Sequence, residues 1–187
     1  MSTVTKKALA YSLKKLLETK TLDKITISEI VDDCDLNRQS FYYHFSNIYE
    51  LVQWTFSKDV EKQLQNKVNY KNWQEGFLVI LSYCKENNLI IYNLYHSQGR
   101  SIIEDGLKEY VNNLLLKVIE DEIKKLNVKV SEKDKLFIAN YNMFAFVGIV
   151  MLWIDSNMIE EPNLIIERIN ILIKGDFEKA LLEYSKI

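Results

Sequence analysis

From Asn37 to Phe45 the chain reads Asn-Arg-Gln-Ser-Phe-Tyr-Tyr-His-Phe, a run of hydrogen-bonding side chains set around two phenylalanines. Phe41 and Phe45 stand four residues apart, which puts them on one face of a helix. A helix that buries those two rings holds Arg38, Gln39, Tyr42, Tyr43 and His44 outward. Such a surface offers recognition by hydrogen bonding rather than bond breaking. The remaining reactive residues do not assemble into a catalytic set. The two histidines, His44 and His96, and the two cysteines, Cys34 and Cys84, lie far apart in sequence and lack metal-ligand spacing. No glycine-rich phosphate loop follows a strand. Carboxylates are plentiful, but on helical surfaces a carboxylate pair is usually solvated. The expectation is a protein without catalytic residues, metal or cofactor, and not an enzyme.

The elements that would position this surface are short and well punctuated. An amphipathic helix spans roughly 3–19, with Leu9, Leu13, Leu16 and Leu17 as its apolar stripe and lysines largely off it. Thr26-Ile27-Ser28-Glu29 is a capping box, in which the Thr26 hydroxyl and the Glu29 carboxylate satisfy the first amides of a second, brief helix. Asp35 falls in the turn that follows, where aspartate tolerates the left-handed conformation better than most residues. Asn37 is an N-cap for the third helix. Asn47, with Glu50 three residues later, starts a fourth at about 47–67. Two short helices joined by a tight turn, held by a longer one, describe a helix-turn-helix unit.

Beyond it, helices are expected near 70–86, 88–97, 100–126, 132–158 and 162–184, about nine in all. Ser131 with Asp134 caps the fourth of these, and the only proline, Pro162, suits the first turn of the last. Glycines can break the chain near 97–106 and at Gly175. One proline and five glycines in 187 residues favour long helices over a turn-rich β fold, and 48% hydrophobic with 27% charged residues fits a globular chain. Two isolated cysteines fit a reducing cytoplasm, and the N-terminus lacks the apolar core of a signal peptide. Leu136–Ile154 carries no ionised residue and approaches the length of a bilayer span. Asn140 and Asn142 within it, and the lack of a flanking basic cluster, argue instead for the buried centre of a helical domain or dimer. Net charge is −2, so whole-chain charge gives no footprint for nucleic acid.

Residues 25–52, "ITISEIVDDCDLNRQSFYYHFSNIYELV", closely resemble the helix-turn-helix head of the TetR family of transcriptional regulators. Thr26, Glu29, Ile30, Asn37, Ser40, Phe41, Tyr42, His44, Phe45, Asn47 and Leu51 fall on matching positions. "RQSFYYHF" with "YELVQWTF" is also similar to the branch that contains regulators of bacterial dihydroxyacetone kinase operons. The resemblance implies an all-α protein with a three-helix DNA-binding head, residues 1–46, and a larger helical effector-binding and dimerisation domain, residues 47–187. The fourth helix would connect them. It implies DNA contact by Thr26, Asn37, Arg38, Gln39, Ser40, Tyr42, Tyr43 and His44. Arg38 would fork onto guanine and Gln39 pair with adenine, while Thr26, Ser40, Tyr42 and His44 meet phosphates. Two departures stand out: Ile48 replaces the usual lysine, and Asp35 replaces the usual turn glycine beside Asp32 and Asp33. Residues 1–54 hold six lysines and one arginine against seven acids, a net of zero.

By the same resemblance, the C-terminal domain holds an effector cavity. Its expected lining is Trp73, Phe77, Tyr92, His96, Asn140, Tyr141 and Phe144, aromatic and amide side chains that read equally well as helical core. The last two helices are the expected dimer surface, with Phe144, Val147, Met151, Ile165, Ile169, Leu172 and Ile173 supplying apolar excess. The functional expectation is a cytoplasmic homodimer that binds a palindromic operator in double-stranded DNA. A small molecule or a partner protein would modulate it, with no role for a membrane. The alternative is a TetR-like co-regulator that works through protein–protein contact with weak or no DNA binding, favoured by Ile48 and the aspartates.

Overall fold

The computed structural model describes residues 2–65 and 73–186. Among them every regular element is helical: α1 Ser2–Leu17, a 3₁₀ turn Leu22–Lys24, α2 Ile27–Asp32, α3 Arg38–His44, α4 Ile48–Gln65, α5 Trp73–Glu86, α6 Asn88–Tyr95, α7 Arg100–Leu126, α8 Glu132–Asp155, α9 Pro162–Ile173 and α10 Asp176–Tyr184. Among the described residues the expected last helix is two, because it breaks at Gly175, whose φ of 82° is open to a residue without Cβ. α8 stops short of 158, since Asn157 and Met158 both take the left-handed conformation and no longer continue the helical ladder. Gly106 leaves α7 unbroken. The expected ends of helices at 67 and 70 lie outside the described residues.

The caps form as local chemistry requires. Thr26 and Glu29 make the full capping box. Asn37 Oδ1 accepts from the Ser40 amide at 2.8 Å, and Ser131 Oγ accepts from the Asp134 amide at 3.2 Å. Asn47 Oδ1 accepts from Glu50 N at 3.0 Å, while the Glu50 carboxylate reaches one residue further back than expected, to the Ser46 amide at 2.7 Å.

Packing groups the chain into two compact units, Met1–Val68 with Asn87–Asp105, and Asn69–Glu86 with Gly106–Ile187. In the first, Leu9, Leu13 and Leu17 of α1 meet Ile30 and Val31 of α2, Phe41 and Phe45, Leu51 and Val52 of α4, and Ile90 and Leu94 of α6 in one buried cluster. The recognition region is therefore held by α4 and α6 as well as by α1 and α2. Asn93 Nδ2 fixes α6 to the end of α1 by donating to Leu17 O at 2.7 Å.

In the second unit, α5 packs on α9, and α8 on α10. Trp73 and Phe77 of α5 each form a T-shaped pair with Phe146 of α8, centroids 5.3 and 4.6 Å apart. Among the described residues α8 alone is long and apolar enough to cross a membrane, and half of its most apolar stretch is buried within the structure.

Candidate nucleic-acid interface

α3 is seven residues long, and Phe41 is the residue it buries; Phe45, at its C-cap, is buried beside it. The two rings lie 6.0 Å apart, and Phe45 continues to Trp54 of α4 at 5.9 Å. Lys6 covers Phe45 and Trp54 from α1, 5.0 and 5.8 Å from the ring centroids. Anchored by these rings, α3 leaves Arg38, Gln39, Tyr42 and Tyr43 exposed, Tyr43 to 82%. His44 is half-buried between the Tyr43 and Phe45 rings. Of the five side chains expected to face outward, four are thus exposed and His44 only partly so. Asn37 lies at its start but spends its carbonyl oxygen on the cap, accepting from both the amide and the hydroxyl of Ser40.

The turn before α3 is set by Asp35 at φ 53°, as expected, and by Leu36 N donating to Val31 O at 2.9 Å. The carbonyls at the end of α2 are capped from two sides. Ser12 Oγ of α1 donates to Ile30 O at 3.0 Å, and the Cys34 thiol donates to the same oxygen at 3.1 Å. Ser12 is fully buried and was absent from the sequence reading. A signal existed, because Ser12 falls on the Leu9–Leu13–Leu16 stripe, where a lone hydroxyl needs a partner. Ser28 was missed too: its Oγ accepts from Arg38 Nε at 2.9 Å, across the turn.

Three lysines of the head are held in ion pairs. Lys15 bonds Asp33, Lys14 bonds Asp59, and Lys20 bonds Glu29 at 2.5 Å. The Lys20 ammonium, then the Thr26 amide and hydroxyl, pull the Glu29 carboxyl down to about 2. The bond from Lys15 lowers Asp33, and the Ser46 amide lowers Glu50. Burial pushes the Cys34 thiol up, with Asp33 and Asp35 adding to it. The Thr26 hydroxyl donates to Glu29 Oε2 at 3.0 Å, and the Ser40 hydroxyl to Asn37, so either must turn to donate to a phosphate. Ile48 is half-buried against the head's core, which accounts for an apolar side chain at the position of the usual lysine.

The expected effector lining is divided between the two units and, within the second, between its core and its surface. Trp73 and Phe77 are buried on Phe146. Tyr92 and His96 belong to the unit of the head, their rings tilted at 34° with centroids 4.1 Å apart, His96 exposed. Asn140, Tyr141 and Phe144 stand on the exposed face of α8, while Asn142 bonds within its own helix, to Ile138 O at 2.9 Å. The physical reason is the even apolarity of α8, which gives no periodicity to tell its buried stripe from its open one. The expected dimer residues divide likewise. Val147, Met151, Ile165 and Ile169 are buried in their own unit, and Phe144 and Leu172 are exposed.

The description "Bacterial regulatory proteins, tetR family" fits residues 13–53, and "Transcriptional regulator C-terminal region" fits residues 71–175. The chain belongs to the TetR family of transcriptional regulators, a non-enzymatic family. A relative from Lactococcus lactis subsp. lactis (strain IL1403), the HTH-type dhaKLM operon transcriptional activator DhaS, is 30% identical over 152 residues, 79% of this chain and 78% of that protein. The solved structure of a dihydroxyacetone kinase operon activator DhaS matches with a TM-score of 0.73 and 27% identity, over 94% of this chain and 97% of that one. E. coli NemR in its reduced form shares the fold at a TM-score of 0.50 and 16% identity, over 89% and 96% of the two chains.

Proposed function

We propose that this regulator binds a palindromic operator as a homodimer, with α3 in the major groove, and that a small molecule or partner protein bound in its C-terminal domain controls it. The observation that carries the reading is the packing of α3. A seven-residue helix anchored by Phe41 and Phe45 presents Arg38, Gln39, Tyr42 and Tyr43 outward together. A major groove admits one helix, and residues in its first turn reach base edges. Arg38 and Gln39 read bases; Thr26, Asn37, Ser40, Tyr42, Tyr43 and His44 fix register on the duplex. Residues 1–46 serve DNA binding and 47–187 regulation and dimerisation, with α4 as the connection. The relative is named an activator, and we read this chain as activating transcription likewise, in the cytoplasm. The test is a fluorescence anisotropy titration of the duplex upstream of its own gene against a scrambled duplex. Tighter binding to the first supports the reading, and equal binding overturns it.

Dimerisation is read from α8 and α9. Phe137, Tyr141, Phe144 and Leu152 are exposed along one stripe of α8, with Ala145 and Gly148 between them. A Cβ placed on Gly148 meets nothing within 4 Å, which leaves room for another backbone. Leu164, Ile171 and Leu172 add exposed apolar area on α9. A second copy of the same stripe satisfies both partners at once, as a twofold interface requires. For the effector, Trp73 and Phe77 remain candidates. Among the described residues of their unit, Gln74 Oε1 and Asn112 Oδ1 are buried without a hydrogen-bond partner, and a ligand with donors would satisfy them. Such a ligand acts only through different affinity for the DNA-binding and non-binding states.

The co-regulator reading is favoured by one specific observation. The Lys14, Lys15 and Lys20 ammonium groups of the head are engaged by Asp59, Asp33 and Glu29. Equal binding to all duplexes, with transcription still dependent on the chain, would transfer the function to a protein partner.

A further inference from the structure

We propose that Ser28 is the positioning residue for Arg38, and that it selects the end-on pair of guanidinium nitrogens for base reading. The inference rests on the proposed role of Arg38 as the base-reading side chain. Arg38 is the first residue of α3 and is exposed; Ser28 lies in the first turn of α2 and is half-buried. They are ten residues apart in sequence, and the left-handed turn at Asp35 returns the chain so that Arg38 Nε donates to Ser28 Oγ at 2.9 Å. A guanidinium has five N–H donors in a fixed plane. With Nε committed to Ser28, the two terminal nitrogens remain as a pair of donors on an exposed side chain. Guanine offers two acceptors on its major-groove edge, O6 and N7, which such a pair can bridge.

The bond also matters for entropy. An unrestrained arginine loses much rotamer freedom on binding. A side chain already held near its reading pose loses less, so more of its hydrogen-bond energy appears as discrimination. Ser28 is itself held in place, because its helix opens with the capping box of Thr26 and Glu29 and Glu29 is tied to Lys20. Serine suits the role because its oxygen accepts from Nε while its own proton turns elsewhere.

The experiment measures affinities of the full chain by fluorescence anisotropy for the duplex upstream of its own gene, for a scrambled duplex, and for single-base-pair variants of each half-site. Wild type, Ser28→Ala, Ser28→Thr, Arg38→Ala and the double variant are compared, with thermal melts run alongside to establish folding. The expected result is that Ser28→Ala lowers the ratio of specific to scrambled affinity about threefold to tenfold, the net worth of one ordinary solvent-accessible hydrogen bond. The loss should fall at the base pair where Arg38→Ala acts, with scrambled affinity unchanged. Ser28→Thr, which keeps the hydroxyl, should restore the ratio. In the Arg38→Ala background, Ser28→Ala should add nothing. An equal loss in that background overturns the proposal, because Ser28 would then contact DNA itself. An unchanged ratio in Ser28→Ala also overturns it, while leaving Arg38 as the reader. If Arg38→Ala alters preference at no base pair, the base-reading role fails, and the proposal with it.

Discussion

Glu29, half-buried at the start of α2, ties the capping box to the turn after α1 through Lys20. Its carboxylate accepts from Thr26 N at 2.9 Å and from Lys20 at 2.5 Å, and both partners favour the charged form. The group's pKa falls from 4.5 to about 2 on folding, so its charge stabilises the fold fully above about 4.5 and stops doing so as pH drops through about 2. Glu29→Gln keeps the shape but not the charge. Its urea midpoint should therefore lie below that of wild type at pH 7, and the gap should close as pH falls from about 4.5 to about 2. A gap independent of pH would mean that the carboxylate acts by packing alone.

At the scale of elements, two contacts tie α4 and the corner between α6 and α7 to the unit that contains α3. Ile48 opens α4 and packs against the head's core. Ile48→Lys should keep the stem on that surface and extend the ammonium toward a backbone phosphate. The expected outcome is tighter binding to any duplex and a salt dependence steeper by about one unit of slope per subunit, read from anisotropy titrations at several salt concentrations. The second contact is the corner between α6 and α7. Gln98 joins α4 to the 3₁₀ turn, accepting from Tyr49 OH at 2.6 Å while its amide donates to Asp23 at 3.2 Å. Gly99 beside it has no room for a methyl group: a Cβ would stand 2.2 Å from Leu94 Cδ1 and 3.2 Å from Leu22 Cδ2, both side chains being buried. Gly99→Ala should destabilise the fold by about 1–3 kcal/mol, seen as a lower urea midpoint with an unchanged slope.

For the whole molecule, the exposed apolar stripe of α8 has the most to say. Phe144 sits within it at 61% exposure, so a charge there disturbs little inside the protomer and much in a twofold contact. Phe144→Glu should convert a dimer to a folded monomer at micromolar concentration in sedimentation velocity, with helical circular dichroism retained. Operator affinity should fall with it, because two half-sites are read only when two heads are joined. A wild type that already sediments as a monomer would remove this interface, and with it the twofold reading of the operator.

What could be read from the chain alone was whatever closes over three or four residues. Thr26 with Glu29, Asn37 with Ser40, Asn47 with Glu50 and Ser131 with Asp134 are each complete within one helical turn, so the helix starts were legible. The same holds for Asp35 in its left-handed turn and for Phe41 and Phe45 as the anchors of α3. The exposed face of α3 was legible because burying one side of so short a helix leaves the other outside. Contacts across larger separations were not legible. Ser12 on Ile30 O and Ser28 on Arg38 depend on how α1, α2 and α3 cross, which no local spacing encodes. The regulatory region was the least legible, because α8 is apolar on every side. Its neighbour α10 and the rings of Trp73 and Phe77 decide that Phe146 goes inward while Tyr141 and Phe144 face out.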